Sequence, residues 1–234
     1  MRTLRTSAGP FASRPYYKPA EIETICEDEL RRVGLYPEKP EPVRIDRFIE
    51  KRFGFSHDYE DLPEGVLGFS IFGSNGVERI VVARSLDDEG TPAADRRIRS
   101  TLAHEAGHAL LQGHLFALGD EVQALFGDAS VDGPKMMCRD VSGVGANLRK
   151  YDGRWWEFQA NSAIGALLLP RRLVISSVES LLTAAGSLGI KGLATNKREE
   201  AARQIAQVFD VNPIVARIRI DEVFGKADER QLSL

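Results

Sequence analysis

The stretch His104-Glu105-Ala106-Gly107-His108 decides the fold prediction for this chain. On a helix with about 3.6 residues per turn, positions 104 and 108 project from nearly the same face, so two imidazole nitrogens can converge on one tetrahedral ion. Glu105 lies one residue further round the helix and reaches water bound to that ion. The spacing therefore predicts a zinc-dependent hydrolase. The alternative is a helix whose two histidines lie on the surface or are hydrogen-bonded in the core.

The residues around this stretch predict a helix with two different faces. The apolar face consists of Ile98, Leu102, Ala106, Ala109 and Leu110. The polar face consists of Thr101, His104, Glu105, His108 and Gln112. We expect the apolar face to pack on the core and the polar face to line a cleft. Gly107 lies away from the metal-binding stripe, and because glycine weakens a helix by about 1 kcal/mol relative to alanine, it predicts a close backbone contact there.

A second segment offers a third metal ligand, which a catalytic zinc site needs. The segment begins at Trp155 as a helical run and is stopped by Pro170. Glu157 is a charged residue within this mostly apolar run, and we expect its carboxylate to bind the ion. Asn161 follows one turn later, where its amide oxygen can accept the free N–H of a ligating histidine. The alternative is that Glu157 is an exposed first-turn residue favoured by the helix dipole.

These motifs resemble those of a known family. The helix that contains Arg99-Ser100-Thr101-Leu102-Ala103-His104-Glu105-Ala106-Gly107-His108, followed by Glu157-Phe158-Gln159-Ala160-Asn161 and Leu167-Leu168-Leu169-Pro170, is similar to the ImmA/IrrE metallopeptidases. The stretch Leu62-Pro63-Glu64-Gly65-Val66-Leu67-Gly68 extends the resemblance, which covers about residues 20 to 220.

The resemblance implies a zincin-like, intracellular peptidase. Members of this family cleave helix-turn-helix repressors of the Xre kind in response to DNA damage or mobile-element induction. Carried over by motif, His104, His108 and Glu157 are the metal ligands, and Glu105 is the catalytic base. In such a site the base accepts a proton from the attacking water and passes it to the leaving amine. Zinc is the expected ion, with manganese as the alternative.

Composition excludes several classes of protein. The chain has 234 residues, of which 43% are hydrophobic and 28% charged, so it can bury a substantial core and is not a disordered or fibrous protein. A net charge of −3 argues against non-specific binding to nucleic acid or to anionic membranes. No apolar stretch approaches the roughly 20 residues that span a bilayer, and the N-terminus has no hydrophobic signal core. Two cysteines far apart make no disulfide framework. These features predict a cytoplasmic protein.

Three regions are predicted along the chain. Residues 1–18 lack periodicity and are expected to form a mobile leader. Residues 19–175 are expected to form an α+β domain with a zincin-like metallopeptidase core, which comprises a small mixed sheet with a hairpin, the metal helix and the third-ligand helix. Residues 176–234 are expected to form a C-terminal helical region that resembles a helix-turn-helix.

Shorter patterns predict individual elements. Residues 19–33 form a helix that ends at Gly34, residues 43–46 form a short strand, and a further helix follows and ends at Gly54. Residues 66–72 and 78–84 form a hairpin. In zincin-like peptidases an edge strand beside the metal helix holds the substrate as an added strand, and either strand of this hairpin could have that role. The alternative is that both belong to the core sheet.

Residues 113–154 contain scattered glycines and no sustained period, which predicts a long loop, with a lid over the cleft as one role. Cys138 lies within this stretch. A thiolate is a good zinc ligand, so Cys138 could occupy the fourth coordination position and hold the enzyme latent. The alternative is an ordinary reduced cysteine in a loop.

The C-terminal region shows two helical patterns separated by a break at residues 210–213. Asn212 followed by Pro213 is typical of a helix start. From residue 191 onward the chain has eight basic and seven acidic side chains, and this balance argues against direct DNA binding.

Three functions are compatible with the sequence. The first is an endopeptidase that acts on a co-encoded Xre-type repressor. The second is a DNA-binding regulator with a sensory or vestigial metal site, and the third is a peptidase-like protein that binds a partner without cutting it. The glutamate beside the metal favours the first, because a protein that only binds has no need of a base there.

Overall fold

The computed structural model describes residues 2–5, 13–73, 75–117, 135–139, 154–185 and 190–225. Within these ranges the fold is a mixture of helices and short strands, as predicted. The helices are α1 (Pro19–Arg32), α2 (Ile45–Phe53), α3 (Arg84–Glu89), α4 (Pro92–Ala117), α5 (Trp155–Leu168), α6 (Arg171–Ser177), α7 (Arg198–Phe209) and α8 (Pro213–Phe224). The strands are β1 (Arg2–Arg5), β2 (Ser13–Tyr16), β3 (Asp58–Glu60), β4 (Val66–Gly73), β5 (Gly76–Ala83), β6 (Lys135–Arg139), β7 (Leu182–Ala185) and β8 (Ile190–Leu193).

The main sheet is small and mixed, which confirms that part of the prediction. Its strand order is β3-β5-β4-β6, with β3 parallel to β5 and the other pairs antiparallel. The predicted hairpin is β4 and β5. Both hairpin strands lie inside the described sheet, with β3 and β6 at its edges, so of the two roles that the sequence left open for the hairpin the structure favours a place in the core sheet.

Two predicted segments differ from the structure. Residues 43–46 are not a strand, because Ile45 begins α2 and its N–H bonds the carbonyl of Val43 in a turn. The alternation of Val43 and Ile45 reflects burial of both side chains where the chain enters the helix. The predicted loop at 113–154 begins too early, since α4 continues to Ala117, and it contains strand β6.

Helix α4 lies between the sheet and α5, which explains why its polar face is buried. Thr101 and Gln112 are fully enclosed, whereas Ala109 and Leu110 on the predicted core face are only half-buried. The predicted cleft-lining face therefore packs inside the molecule. Gly107 has the close contact that the sequence predicts, because a Cβ there would lie 2.8 Å from Cβ of Ala163 on α5.

The N-terminal stretch predicted as a mobile leader contains β1 and β2, which pair antiparallel with Arg2 opposite Tyr16. Pro15 in β2 is buried. The remainder of that stretch before residue 13 lies outside the described residues.

The break between the C-terminal helices and the start of the second helix fall where the sequence predicts, with Asn212 as the N-cap of α8 and Pro213 at its first position. Helix α7 ends at Phe209, and its C-cap Asp210 has a left-handed φ of 50°. Residues of α7 and α8, including Phe209 and Ile220, join Leu102 of α4 in one hydrophobic core. The predicted domain boundary between residues 175 and 176 falls within α6. No helix in the described ranges is both long enough and apolar enough to cross a bilayer.

Candidate metal centre

Helices α4 and α5 bring three potential ligands together. His104 and His108 project from successive turns of α4, and Glu157 comes from the first turn of α5. Oε2 of Glu157 lies 3.3 Å from Nε2 of His104 and 3.8 Å from Nε2 of His108. One ligand atom from each residue lies within 4.8 Å of the others, so the group could hold a metal ion. The three residues are thus adjacent, as the two motifs predict.

Burial excludes a surface position for the two histidines and a fully exposed one for Glu157. His104 is 3% exposed and His108 is fully enclosed, so neither is a surface histidine. The side chain of Glu157 is only 19% exposed, although it stands in the first turn of its helix. A carboxylate that a helix dipole alone favours would remain in water. Glu157 instead faces the two imidazoles.

Hydrogen bonds at Nδ1 of each histidine determine which ring nitrogen carries the hydrogen and which has a free lone pair. Nδ1 of His104 donates to Oδ1 of Asn161 at 3.0 Å, the contact predicted for Asn161. Nδ1 of His108 donates to Oε1 of Gln112, also at 3.0 Å. Amide oxygens only accept hydrogen bonds, so both Nδ1 atoms carry hydrogen. The lone pair of each neutral ring is therefore on Nε2, and the two Nε2 atoms are 2.9 Å apart.

This arrangement favours positive charge at its centre. Two lone pairs at that separation repel each other unless a proton or a cation lies between them. Burial alone would lower the pKa of His104, but the hydrogen bond and charge of Glu157 outweigh burial and raise it. Burial alone would raise the pKa of Glu157. The hydrogen bonds and charges of His104 and His108 outweigh burial and hold this pKa well below its usual range. Two imidazoles and one carboxylate form a ligand set that zinc commonly uses.

Glu105 lies beside this group and has one carboxylate oxygen free. The residue is fully buried, and Ser70 of β4 donates to its Oε2 at 2.5 Å. Its Oε1 is also buried and accepts no hydrogen bond from the residues that the structure describes. Burial raises the pKa of Glu105, while His104, His108 and Ser70 act in the opposite direction. A buried, unpaired carboxylate oxygen is suited to accept a proton from water.

Glycine at position 68 lets β4 approach the metal helix at Glu105. A Cβ at Gly68 would lie 2.6 Å from Cγ2 of Thr101 and 2.7 Å from the carbonyl oxygen of Val81. It would also lie 3.8 Å from Oε1 of Glu105. The close approach places the Ser70 hydroxyl within hydrogen-bonding distance of the glutamate.

Sequence reasoning missed three contributors to this site. The sequence pattern predicts Ser70 only as one position of a core strand. It places Gln112 on the polar face of its helix without indicating a role. Gln159 stands two residues after Glu157, and its amide accepts a hydrogen bond from Gln112 at 2.8 Å. The position of Gln112 one turn after His108 is a signal that could have found it.

Cys138 lies in strand β6, where its Cα pairs with that of Gly68. Its side chain lies outside the described residues. The suggestion that this thiolate holds the site latent therefore stays a prediction.

No model of a known protein family matches the chain, and no curated protein matches it.

Proposed function

We propose that this protein is a zinc-dependent endopeptidase with a zincin-like core, of the kind that the ImmA/IrrE resemblance implies. The observation that carries the proposal is the buried Oε1 of Glu105, which accepts no hydrogen bond from the part of the chain that the structure describes and belongs to a residue beside the His104, His108 and Glu157 group. A metal site that only senses or binds has no need of a carboxylate held next to its ligands with one oxygen free.

The ligand residues would hold the ion through Nε2 of each histidine and a carboxylate oxygen of Glu157. When bound, a divalent ion lowers the pKa of water and polarises a peptide carbonyl. Glu105 accepts the proton of the attacking water at Oε1 and delivers it to the nitrogen of the leaving amine. Ser70 holds the other oxygen, so the carboxylate does not have to reorient during the transfer. Burial of the site keeps competing solvent away from this proton.

The substrate that we propose is an Xre-type repressor encoded beside this protein, and this part of the proposal comes from the family resemblance alone. Direct DNA binding is not part of it, because the charges of the C-terminal region nearly cancel. We propose a cytoplasmic location on the same basis of resemblance.

The decisive experiment compares the wild-type chain with Glu105→Gln on a neighbouring Xre-type repressor, with zinc or manganese added. The amide keeps an oxygen that can accept the hydrogen bond of Ser70, so the fold and the metal affinity should remain while cleavage stops. Glu64→Gln is the matched control, since Glu64 is an exposed glutamate that is not among the site residues. Equal cleavage by wild type and Glu105→Gln would refute the assignment of the base. Absence of cleavage by wild type, with zinc bound, would favour a protein that binds its partner without cutting.

A further inference from the structure

We infer that Gln112 and Gln159 are positioning residues for the metal site, joined in a hydrogen-bonded chain that runs from His108 to the backbone of Pro15 in the N-terminal strand β2. The inference rests on the metal site of the proposed function. It adds two residues and a segment of chain that lie outside the ligand set.

The direction of the hydrogen bonds is fixed at the Pro15 end of this hydrogen-bonded chain, where the amide of Gln159 can take only one orientation. Nε2 of Gln159 donates to the carbonyl oxygen of Pro15 at 2.9 Å, and a carbonyl can only accept. Oε1 of Gln159 must therefore face the other way, where Nε2 of Gln112 donates to it at 2.8 Å. Oε1 of Gln112 is then turned toward Nδ1 of His108. One backbone carbonyl thus determines the orientation of two amides and the tautomer of a metal ligand.

Burial prevents water from substituting for these partners. Gln112 is fully enclosed, and Gln159 is 3% exposed. A buried amide that loses its partner leaves a polar group unsatisfied, at a cost of about 1–3 kcal/mol. The chain is therefore held as a unit, and a break at any point removes the constraint on His108.

The two histidines are held in different ways. His104 is oriented by Asn161, which is on the same helix as Glu157. His108 is oriented by Gln112 on its own helix, then by Gln159 on α5, and finally by β2. The docking of the N-terminal strand is accordingly linked to the geometry of one ligand. Because linkage is reciprocal, metal binding and docking of β2 at Pro15 stabilise each other.

The first test measures zinc affinity by competition with a chelator. Gln112→Leu removes the acceptor of the His108 N–H, and we expect zinc to bind about 10- to 100-fold more weakly. Gln112→Glu keeps an acceptor for the His108 N–H but has no donor for Gln159, so its zinc affinity should recover from that of Gln112→Leu without reaching that of wild type. Gln204→Leu is the matched control, because Gln204 donates to the carbonyl of Ser177, a hydrogen bond between α7 and α6 that includes no residue of the metal centre. Equal zinc affinity of Gln112→Leu and wild type would overturn the inference.

A second test uses wild-type protein, so it does not depend on the folding of a variant. Hydrogen exchange of the amides in residues 13–17 should be slower with zinc than without, and the difference should disappear in Gln159→Leu. If hydrogen exchange of this segment in the wild type is the same with and without zinc, the coupling between metal binding and β2 is refuted. Neither test requires a peptide to be cut. If both tests give the expected results but the protein cleaves nothing, only the proposed peptidase activity is refuted. If the protein cleaves its substrate but Gln112→Leu has the zinc affinity of wild type, only the role of the hydrogen-bonded chain is refuted.

Discussion

Ser70 donates its hydroxyl hydrogen to Oε2 of Glu105, although the two residues are 35 positions apart in the sequence. The contact joins the hairpin to α4 and leaves the second glutamate oxygen, Oε1, buried without a hydrogen bond from the described residues. Among the described residues, Ser70 is the donor that holds this buried carboxylate.

Ser70→Ala should lower kcat by about tenfold, because a base that can rotate is aligned with its proton for less of the time. Zinc affinity should be unchanged, since no ligand contacts Ser70. The measurement is steady-state cleavage of a peptide substrate together with zinc binding. Ser100→Ala is the control, as it removes a hydroxyl that donates to the carbonyl of Arg96 within α4. A kcat equal to that of wild type would show that the hydrogen bond has no part in positioning the base.

Metal binding should stabilise the folded chain through mass action. At a free zinc concentration of about 100 times Kd, the free energy of unfolding should rise by about 2.7 kcal/mol. For a chain of this size the corresponding rise in Tm is about 5–10 °C. Calorimetry with zinc and with a chelator measures the difference. Glu157→Gln, which removes the negatively charged ligand, should abolish most of the increase at the same zinc concentration, and a persistent full increase would exclude Glu157 as a ligand.

Gly107→Ala should destabilise the protein even though alanine is the better helix former. The new Cβ would lie 2.8 Å from Cβ of Ala163 and 3.2 Å from the carbonyl oxygen of Ala160. Overpacking of this kind costs about 1–3 kcal/mol, against about 1 kcal/mol gained in helix propensity. Since α5 must move to relieve the contact, Glu157 should shift and zinc affinity should fall. Adding Ala163→Gly to the same protein makes room and should restore zinc affinity, so failure of this rescue would contradict the packing explanation.

Arg217 and Arg219, two residues apart on α8, offer a matched comparison of exposed and buried ion pairs. Arg219 is 2% exposed, forms paired hydrogen bonds with Glu23 of α1 and donates to the carbonyl of Leu169. Arg217 pairs with Glu199 in solvent. Arg219→Met leaves a partly buried carboxylate without its partner and should cost about 3 kcal/mol in urea unfolding. Arg217→Met should cost under about 1 kcal/mol, and similar losses for both variants would contradict this assignment.

Asp210 should make stability depend on pH. Burial alone would raise the pKa of this carboxyl, but the hydrogen bonds from Arg99 and Arg96 outweigh burial and lower it. A lowered pKa contributes stability that is complete above the unfolded value of about 3.9 and is lost as pH falls through the folded value.

Asp210→Asn isolates this charge effect, because asparagine also tolerates the left-handed conformation at φ 50°. Wild type should therefore be more stable than Asp210→Asn at pH 6, and the difference should shrink as the pH is lowered toward 3. The measurement is urea unfolding at a series of pH values. A difference that stays constant over this range would assign the effect to packing instead of charge.

The sequence predicted the parts of the site that local periodicity encodes. The two histidines and Glu105 share one helix, and the relation between Glu157 and Asn161 follows from one turn of another. Helix boundaries marked by glycine or proline, such as Gly54, were also predicted correctly, since these residues restrict or permit particular backbone angles.

The remaining features depend on contacts between distant segments, which no local pattern encodes. Gln159 and Pro15 are 144 positions apart, so their hydrogen bond is visible only when α5 and β2 are packed together. Strand β6 is five residues long in a glycine-rich stretch, and its pairing with β4 rather than its own composition defines it. The burial of the polar face of α4 likewise results from the layers on either side of it.

The shared hydrophobic core has a consequence for how the protein loses its structure. Side chains of α1, α4, α5, α7 and α8 meet in a single apolar interior, with the ligand-bearing helix at its middle. The terminal helices therefore cannot melt as an independent unit while the histidines stay in place. Heat or denaturant should therefore disrupt the His104, His108 and Glu157 group and unfold helices α7 and α8 in the same cooperative step.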